Sequence, residues 1–206
     1  MPDQSPADTR GAAYTDRLNR LESVWWKRLL DVQRPYRWNL QRLQLGFTLD
    51  LGCGLGRNLV NLDGNGVGVD HNEASVAAAT GRGLVAFTPE AFRASEYARA
   101  DRFDSLLLAH VAEHLAETTA VQLLRDYVGY VRPGGRIVVI SPQEKGYTTD
   151  ASHVRFLDVA DMADLCAAAG AEVVRSYSFP FPRAAGRVFP YNEFVVVARL
   201  AAARES

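Results

Sequence analysis

TLDLGCGLGRNL, residues 48–59, is the stretch on which the fold turns. Residues 48–51 form a short, mostly apolar run. Glycines follow at 52, 54 and 56, and Arg57 opens a short helical pattern. Strand, glycine-rich turn and helix in that order predict the first crossover unit of a parallel sheet. The glycines let the backbone turn tightly and approach a ligand more closely than a side chain would allow.

Working outward, GVGVD (66–70), LVAF (84–87), FDSLLLA (103–109) and RIVVIS (136–141) read as four more strands. FDSLLLA is nearly all apolar, as a strand covered on both faces must be. The turn RPGG stands ahead of RIVVIS. Helical stretches separate most of the strands: NEASVAAAT (72–80), AEHLAETTAVQLLRDYVGYV (112–131) and DVADMADLCAAAG (158–170). AEVVRSYSF (171–179) and EFVVVARLA (193–201) are joined only by the loop PFPRAAGRVFPYN, which predicts an antiparallel pair at a sheet edge. The expected class is α/β, a doubly wound, seven-stranded, mostly parallel sheet with an antiparallel C-terminal strand.

Upstream, Leu18, Leu21, Trp25 and Leu29 recur at helical spacing in residues 14–32. Pro35 breaks that helix, and NLQRLQLG gives a second short one ending at Gly46. Three segments are therefore expected: a disordered tail over 1–13, a helical cap over 14–46 and the main domain over 47–206. A chain of 206 residues suits one well-buried domain. The net charge of −1 supplies no global field for nucleic acid or an anionic membrane. No apolar run reaches the roughly 18–20 residues of a membrane span. Cys53 and Cys166 lie far apart without metal spacing and read as reduced thiols of a cytoplasmic protein, monomer or homodimer.

Asp70 closes the second strand, 20 residues after Asp50, where a carboxylate can accept hydrogen bonds from ribose hydroxyls. A dinucleotide site would show G-x-G-x-x-G and a longer helix, so a nicotinamide dehydrogenase is disfavoured. The G-x-G-x-G spacing, with an acid two residues before the first glycine, resembles motif I of the class I S-adenosylmethionine-dependent methyltransferases. GVGVDHN, FDSLLLAHVAEHL, VRPGGRIVVISP and the closing strand pair resemble the same family, so the likeness runs from Phe47 to Ala201.

That resemblance implies S-adenosylmethionine as cofactor and a Rossmann-like sheet. It places the backbone of Gly52 and Gly54 on the methionine moiety and Asp50 behind that loop. Asp70 is placed on the ribose and His71 beside the adenine. Glu90 or Phe92, in TPEAF, would stand at the adenine edge, where the family's frequent earlier aspartate is missing. Arg57 at the helix start, Tyr36 and Trp38 in the cap, and His110 after the fourth strand complete the implied cofactor shell.

Acceptor chemistry is expected on the loops after the fourth and fifth strands. His110, Glu113 and His114 stand at i, i+3 and i+4, which would put them on one helix face. PQEKGYTTDASHVRF (142–156) adds Glu144, Tyr147, Asp150 and His153. Three readings stay open: an ordinary helix start, a general base (His153, or His114 oriented by Glu113), and a metal held by Glu113, His114 and His153. Related O-methyltransferases carry E-x-x-E-H here and bind Mg²⁺. With H-x-x-E-H one oxygen ligand is gone, which suits Mn²⁺, Fe²⁺ or Zn²⁺ at least as well as Mg²⁺.

The chain lacks the N/D-P-P-Y/F motif of amino-group methyltransferases and the Cys-Pro of cytosine methyltransferases, so a hydroxyl is the expected target. Residues 25–43 ahead of LDLGCG resemble small mycobacterial enzymes that methylate sugars of polymethylated polysaccharides. That implies a carbohydrate acceptor, with Trp26, Tyr147, Phe181 and Tyr191 as stacking residues or as plain core and rim. The alternatives are a quinone, a phenol, an RNA 2′-hydroxyl, or a non-catalytic cofactor-binding module.

Overall fold

The computed structural model describes residues 33–202. The expected tail (1–13) and first helix (14–32), with Trp25 and Trp26, lie outside the described residues. Helix α1 spans Arg34–Arg42. Pro35, expected to end the preceding helix, sits in the first turn of α1, where its missing N–H takes nothing from the helix ladder. The second helix accordingly starts five residues earlier than expected and stops at Arg42.

Seven strands follow: β1 (Thr48–Leu51), β2 (Gly66–Val69), β3 (Ala86–Phe87), β4 (Phe103–Ala109), β5 (Val131–Pro142), β6 (Ala171–Phe179) and β7 (Glu193–Leu200). They form one sheet in the order β3-β2-β1-β4-β5-β7-β6. β1 pairs in parallel with β2 and β4, β2 with β3, and β4 with β5. β7 enters antiparallel between β5 and the edge strand β6, as the helix-free connection predicts. The helices are α2 (Arg57–Asn61), α3 (Glu73–Gly81), α4 (Pro89–Arg93), α5 (Glu117–Val128), α6 (Glu144–Tyr147) and α7 (Val159–Ala168).

Two expectations shift. RPGG is a bulge inside β5: Phe103 pairs with Val131 but Ser105 with Arg136, so residues 132–135 loop out. The long helix after β4 splits into a 3₁₀ turn, Ala112–His114, and α5, because Leu115 and Ala116 are extended.

The period-2 alternation of buried strands sorts the core into two layers. Leu106, Leu108, Ile137, Val139 and Val196 face α5 and α7, meeting Leu124, Met162 and Leu165. Leu107, Ala109, Val138, Ile140, Val195 and Val197 face α1, meeting Leu40, Leu43 and Leu45. The region expected to cap the domain therefore supplies part of its core. Among the described residues no helix is long and apolar enough to cross a membrane.

Candidate functional site

β1, β2, β4 and β5 run the same way, so the loops after Leu51, Val69, Ala109 and Pro142 share one edge of the sheet. The strand order reverses between β1 and β4, the place where such sheets bind ligands. Gly52, Gly54 and Gly56 all take positive φ, at 69°, 52° and 81°. A Cβ on Gly52 would stand 2.3 Å from Val111 Cγ2, so the loop after β1 is packed directly under the loop after β4. A Cβ on Gly54 would meet nothing within 4 Å. That residue borders open space.

Asp70 ties this loop to β2. Its Oδ2 accepts the Gly54 N–H at 2.8 Å, and its Oδ1 accepts the Asn72 N–H at 2.8 Å. Asn72 in turn caps α3 by accepting from Ala74 and Ser75. The aspartate is thus held by two backbone donors and still has lone pairs for a ligand hydroxyl. Asp50, fully buried on β1, accepts from Asn58 Nδ2 at 3.4 Å, and its Oδ2 has no hydrogen-bond partner among the described residues. Burial pushes its carboxyl up to about 7; Asn58 and Arg57 oppose that and Asp70 adds to it.

The segment after β4 does not form the helix face expected of it. His110 takes φ 59°, and only Glu113 and His114 belong to the 3₁₀ turn. The chain turns there over the glycine loop, with Val111 packed against Gly52, before α5 starts. His110 Nε2 lies 2.8 Å from Glu193 Oε1, and its Nδ1 lies 3.4 Å from Glu113 Oε1. Burial works against the imidazolium, but Glu193 and Glu113 outweigh it and raise the pKa to about 9.

Glu113 is completely buried, and among the described residues neither carboxylate oxygen has a hydrogen-bond partner. Glu113, His114 and His153 each offer a ligand atom, and these atoms lie within 4.8 Å of one another. The Glu113 carbonyl accepts from Val154 and Arg155, which stitches the two loops together. Nδ1 of His153 lies 2.7 Å from the Tyr147 carbonyl, and its ring stacks on the Tyr147 ring at 5.3 Å. Nδ1 of His114 lies 3.2 Å from both the carbonyl and the Oγ of Ser152. Ser152 Oγ donates to Asp150 Oδ1, so towards His114 it can only accept. Carbonyl partners require a proton on each Nδ1, which leaves each Nε2 a lone pair. Burial lowers the His114 pKa, partly offset by Glu113, which keeps the ring neutral.

His71 is exposed, with Nδ1 3.8 Å from Asp70 Oδ1. Arg57 is exposed at the start of α2, and Glu90 on α4. Phe92 is not brought to the site: it is fully buried among Phe103, Tyr127 and Tyr130, on the inner side of α4. Trp38 is 54% exposed, stacked on Phe179 with the Arg42 guanidinium over its ring. Tyr36 donates to the Tyr191 carbonyl at 2.6 Å; burial, then Glu193, push its hydroxyl pKa up. Phe181 and Tyr191 are half exposed on the β6–β7 loop. Glu193 was not foreseen. Its signal is a carboxylate opening the otherwise apolar run FVVVA.

A family described as a methyltransferase domain matches residues 49–139, from β1 to the middle of β5. No curated protein matches the sequence. Solved structures share the fold. An S-adenosylmethionine-dependent methyltransferase from Archaeoglobus fulgidus superposes with a TM-score of 0.64 at 16% identity, over 85% of this chain and 98% of that one. Magnesium protoporphyrin IX methyltransferase from Synechocystis, with S-adenosylhomocysteine bound, gives 0.66 at 14% identity, over 94% and 97%. A possible histamine N-methyltransferase from Thermotoga maritima gives 0.60 at 17% identity, over 90% and 97%.

Proposed function

We infer that this chain, with a methyltransferase domain over residues 49–139, transfers a methyl group from S-adenosylmethionine to a hydroxyl of a small polar acceptor. The cofactor part rests on the domain match, the shared fold and the Gly54–Asp70 latch. The open space at Gly54, the buried Oδ2 of Asp50, without a hydrogen-bond partner among the described residues, and the carboxylate of Asp70 fit a ligand with an amino-acid end and a ribose. Gly52 and Gly54 would border its methionine end, Asp70 its ribose and His71 its adenine. Bound there, it supplies an electrophilic methyl group.

The observation that carries the acceptor chemistry is the Glu113–His114–His153 trio. Glu113 is fully buried, accepts no hydrogen bond among the described residues and has only His110 Nδ1, 3.4 Å from Oε1, as a described ion-pair contact, so a cation or a proton donor on the trio's side would complete it. Two imidazoles with free Nε2 atoms and one carboxylate form a donor set that suits Mn²⁺, Fe²⁺ or Zn²⁺ better than the oxygen-preferring Mg²⁺. His110 is spent on Glu113 and Glu193, so the set holds two imidazoles, where H-x-x-E-H and His153 could have offered three. A divalent cation there would lower the pKa of a chelated hydroxyl.

A proton-transfer reading is favoured by the same geometry. The neutral His114, its tautomer fixed by Ser152, can take an acceptor proton on Nε2. A sugar is the proposed acceptor class: vicinal hydroxyls match a compact polar site, and the half-exposed rings of Phe181 and Tyr191 offer stacking faces.

Transfer of labelled methyl from S-adenosylmethionine to sugars, phenols, quinones and RNA tests the reading, with EDTA and Mn²⁺ as separate arms. Glu113→Ala is expected to reduce transfer at least 100-fold. Loss of turnover in EDTA that Mn²⁺ restores supports the metal; EDTA-resistant turnover supports His114 as base. Turnover unaffected by both EDTA and Glu113→Ala would remove the trio from the reaction.

A further inference from the structure

We propose that Glu193 and His110 are a positioning pair that fixes the carboxylate of Glu113 towards the space it shares with His114 and His153. The proposal rests on the trio's being the acceptor-side centre.

Glu113 stands in a 3₁₀ turn of three residues, too short to immobilise a side chain by its own packing. No described group hydrogen-bonds its oxygens, and Nδ1 of His110 stands 3.4 Å from Oε1. A carboxyl group without exposure needs a polar partner. His110 can serve because its backbone takes φ 59°, a conformation that non-glycine residues seldom adopt. The turn takes its ring out of the strand alternation and puts one nitrogen towards each of two carboxylates.

The second carboxylate comes from the far end of the chain. Glu193 opens β7 opposite Pro142 of β5, on the α1 side of the sheet with Val195 and Val197. Its Oε1 lies 2.8 Å from His110 Nε2. Its backbone is fixed in turn, since the Glu193 carbonyl accepts from Gln143 Nε2 at 2.9 Å and Gln143 also bonds Asn192. With both its nitrogens engaged, His110 cannot swing into the trio as a ligand. Partners that orient a metal's ligands typically change metal affinity by about 10–100-fold.

The test compares wild type with Glu193→Gln and Glu193→Ala, using Mn²⁺ alone as the probe, read by its electron spin resonance. S-adenosylhomocysteine binding serves as the check that the site edge is intact. The expected result is Mn²⁺ affinity lowered about 10-fold or more, with S-adenosylhomocysteine affinity within two-fold of wild type. A second measurement needs no metal: ¹⁵N resonances of the His110 ring in wild type, Glu113→Gln and Glu193→Gln. Glu113→Gln should move Nδ1, and Glu193→Gln should move Nε2. If wild type binds no Mn²⁺, the metal reading fails and the ring resonances alone decide the pair. Unmoved ring resonances in both variants, or wild-type Mn²⁺ affinity in both Glu193 variants, would overturn the proposal.

Discussion

Gly52 and Gly54 share a positive φ but differ in what surrounds them, and that difference separates folding from binding. An alanine at either pays about 1–2 kcal/mol for left-handed backbone. At position 52 its Cβ also meets Val111 at 2.3 Å, adding roughly 1–3 kcal/mol of overpacking. Gly52→Ala is therefore expected to lower the melting temperature clearly, and Gly54→Ala much less. Gly54→Ala should nonetheless weaken S-adenosylhomocysteine binding, because its methyl enters the open space; melting curves and calorimetry on both variants check this. Asp50 gives a pH signature. Its folded pKa of about 7 lies above its ordinary value of 3.8, so the folded state keeps a proton that the unfolded chain releases. Stability of the ligand-free protein should therefore fall as pH rises from about 4 to about 7, with no effect from this group below. Asp50→Asn should flatten that part of the curve in melts taken every half pH unit. A slope unchanged by Asp50→Asn would remove this account.

At the scale of elements, the strands were the most legible part of the sequence, because their alternation and apolar runs are imposed by burial on two faces. The segment after β4 was the least legible. H-V-A-E-H has helical spacing, yet His110 is left-handed and only Glu113 and His114 share a 3₁₀ turn. Helical spacing alone does not make a helix: here the chain turns over the glycine loop, with Val111 packed against Gly52. Phe92 shows the converse. TPEAF follows β3 as a short helix, α4, which turns the Phe92 ring into the core and leaves Glu90 outside. One side chain gathers several of the hydrogen bonds of the β6–β7 loop. Asn192 Oδ1 accepts from Phe181 N–H, and its Nδ2 donates to Gln143 Oε1, Ser178 Oγ and the Phe181 carbonyl. Asn192→Ala strands several of these groups and is expected to cost at least about 2 kcal/mol. Urea unfolding checks the cost, and faster proteolysis within residues 180–192 is the accompanying sign.

For the molecule as a whole, cofactor identity is the decisive prediction. A ligand that binds only the folded state stabilises by about 2.7 kcal/mol at a hundred times its Kd. In a domain of this size that raises the melting temperature by roughly 5–10 °C. S-adenosylhomocysteine should produce such a shift and NAD none; the reverse result would sink the methyltransferase reading. By itself the sequence determined the sheet, its handover to an antiparallel end and the glycine loop with its acid. Each of these is written in local period, turn chemistry or a short spacing. Only the tertiary structure decided that His153 meets Glu113 and His114, that His110 turns away to Glu193, and that α1 is core. Those facts join residues separated by tens of positions, and a contact between distant residues is set by how the layers pack, which no local pattern of side chains encodes. AHVAEH thus displays the right residue types, but β5 and β7 decide which of them face one another.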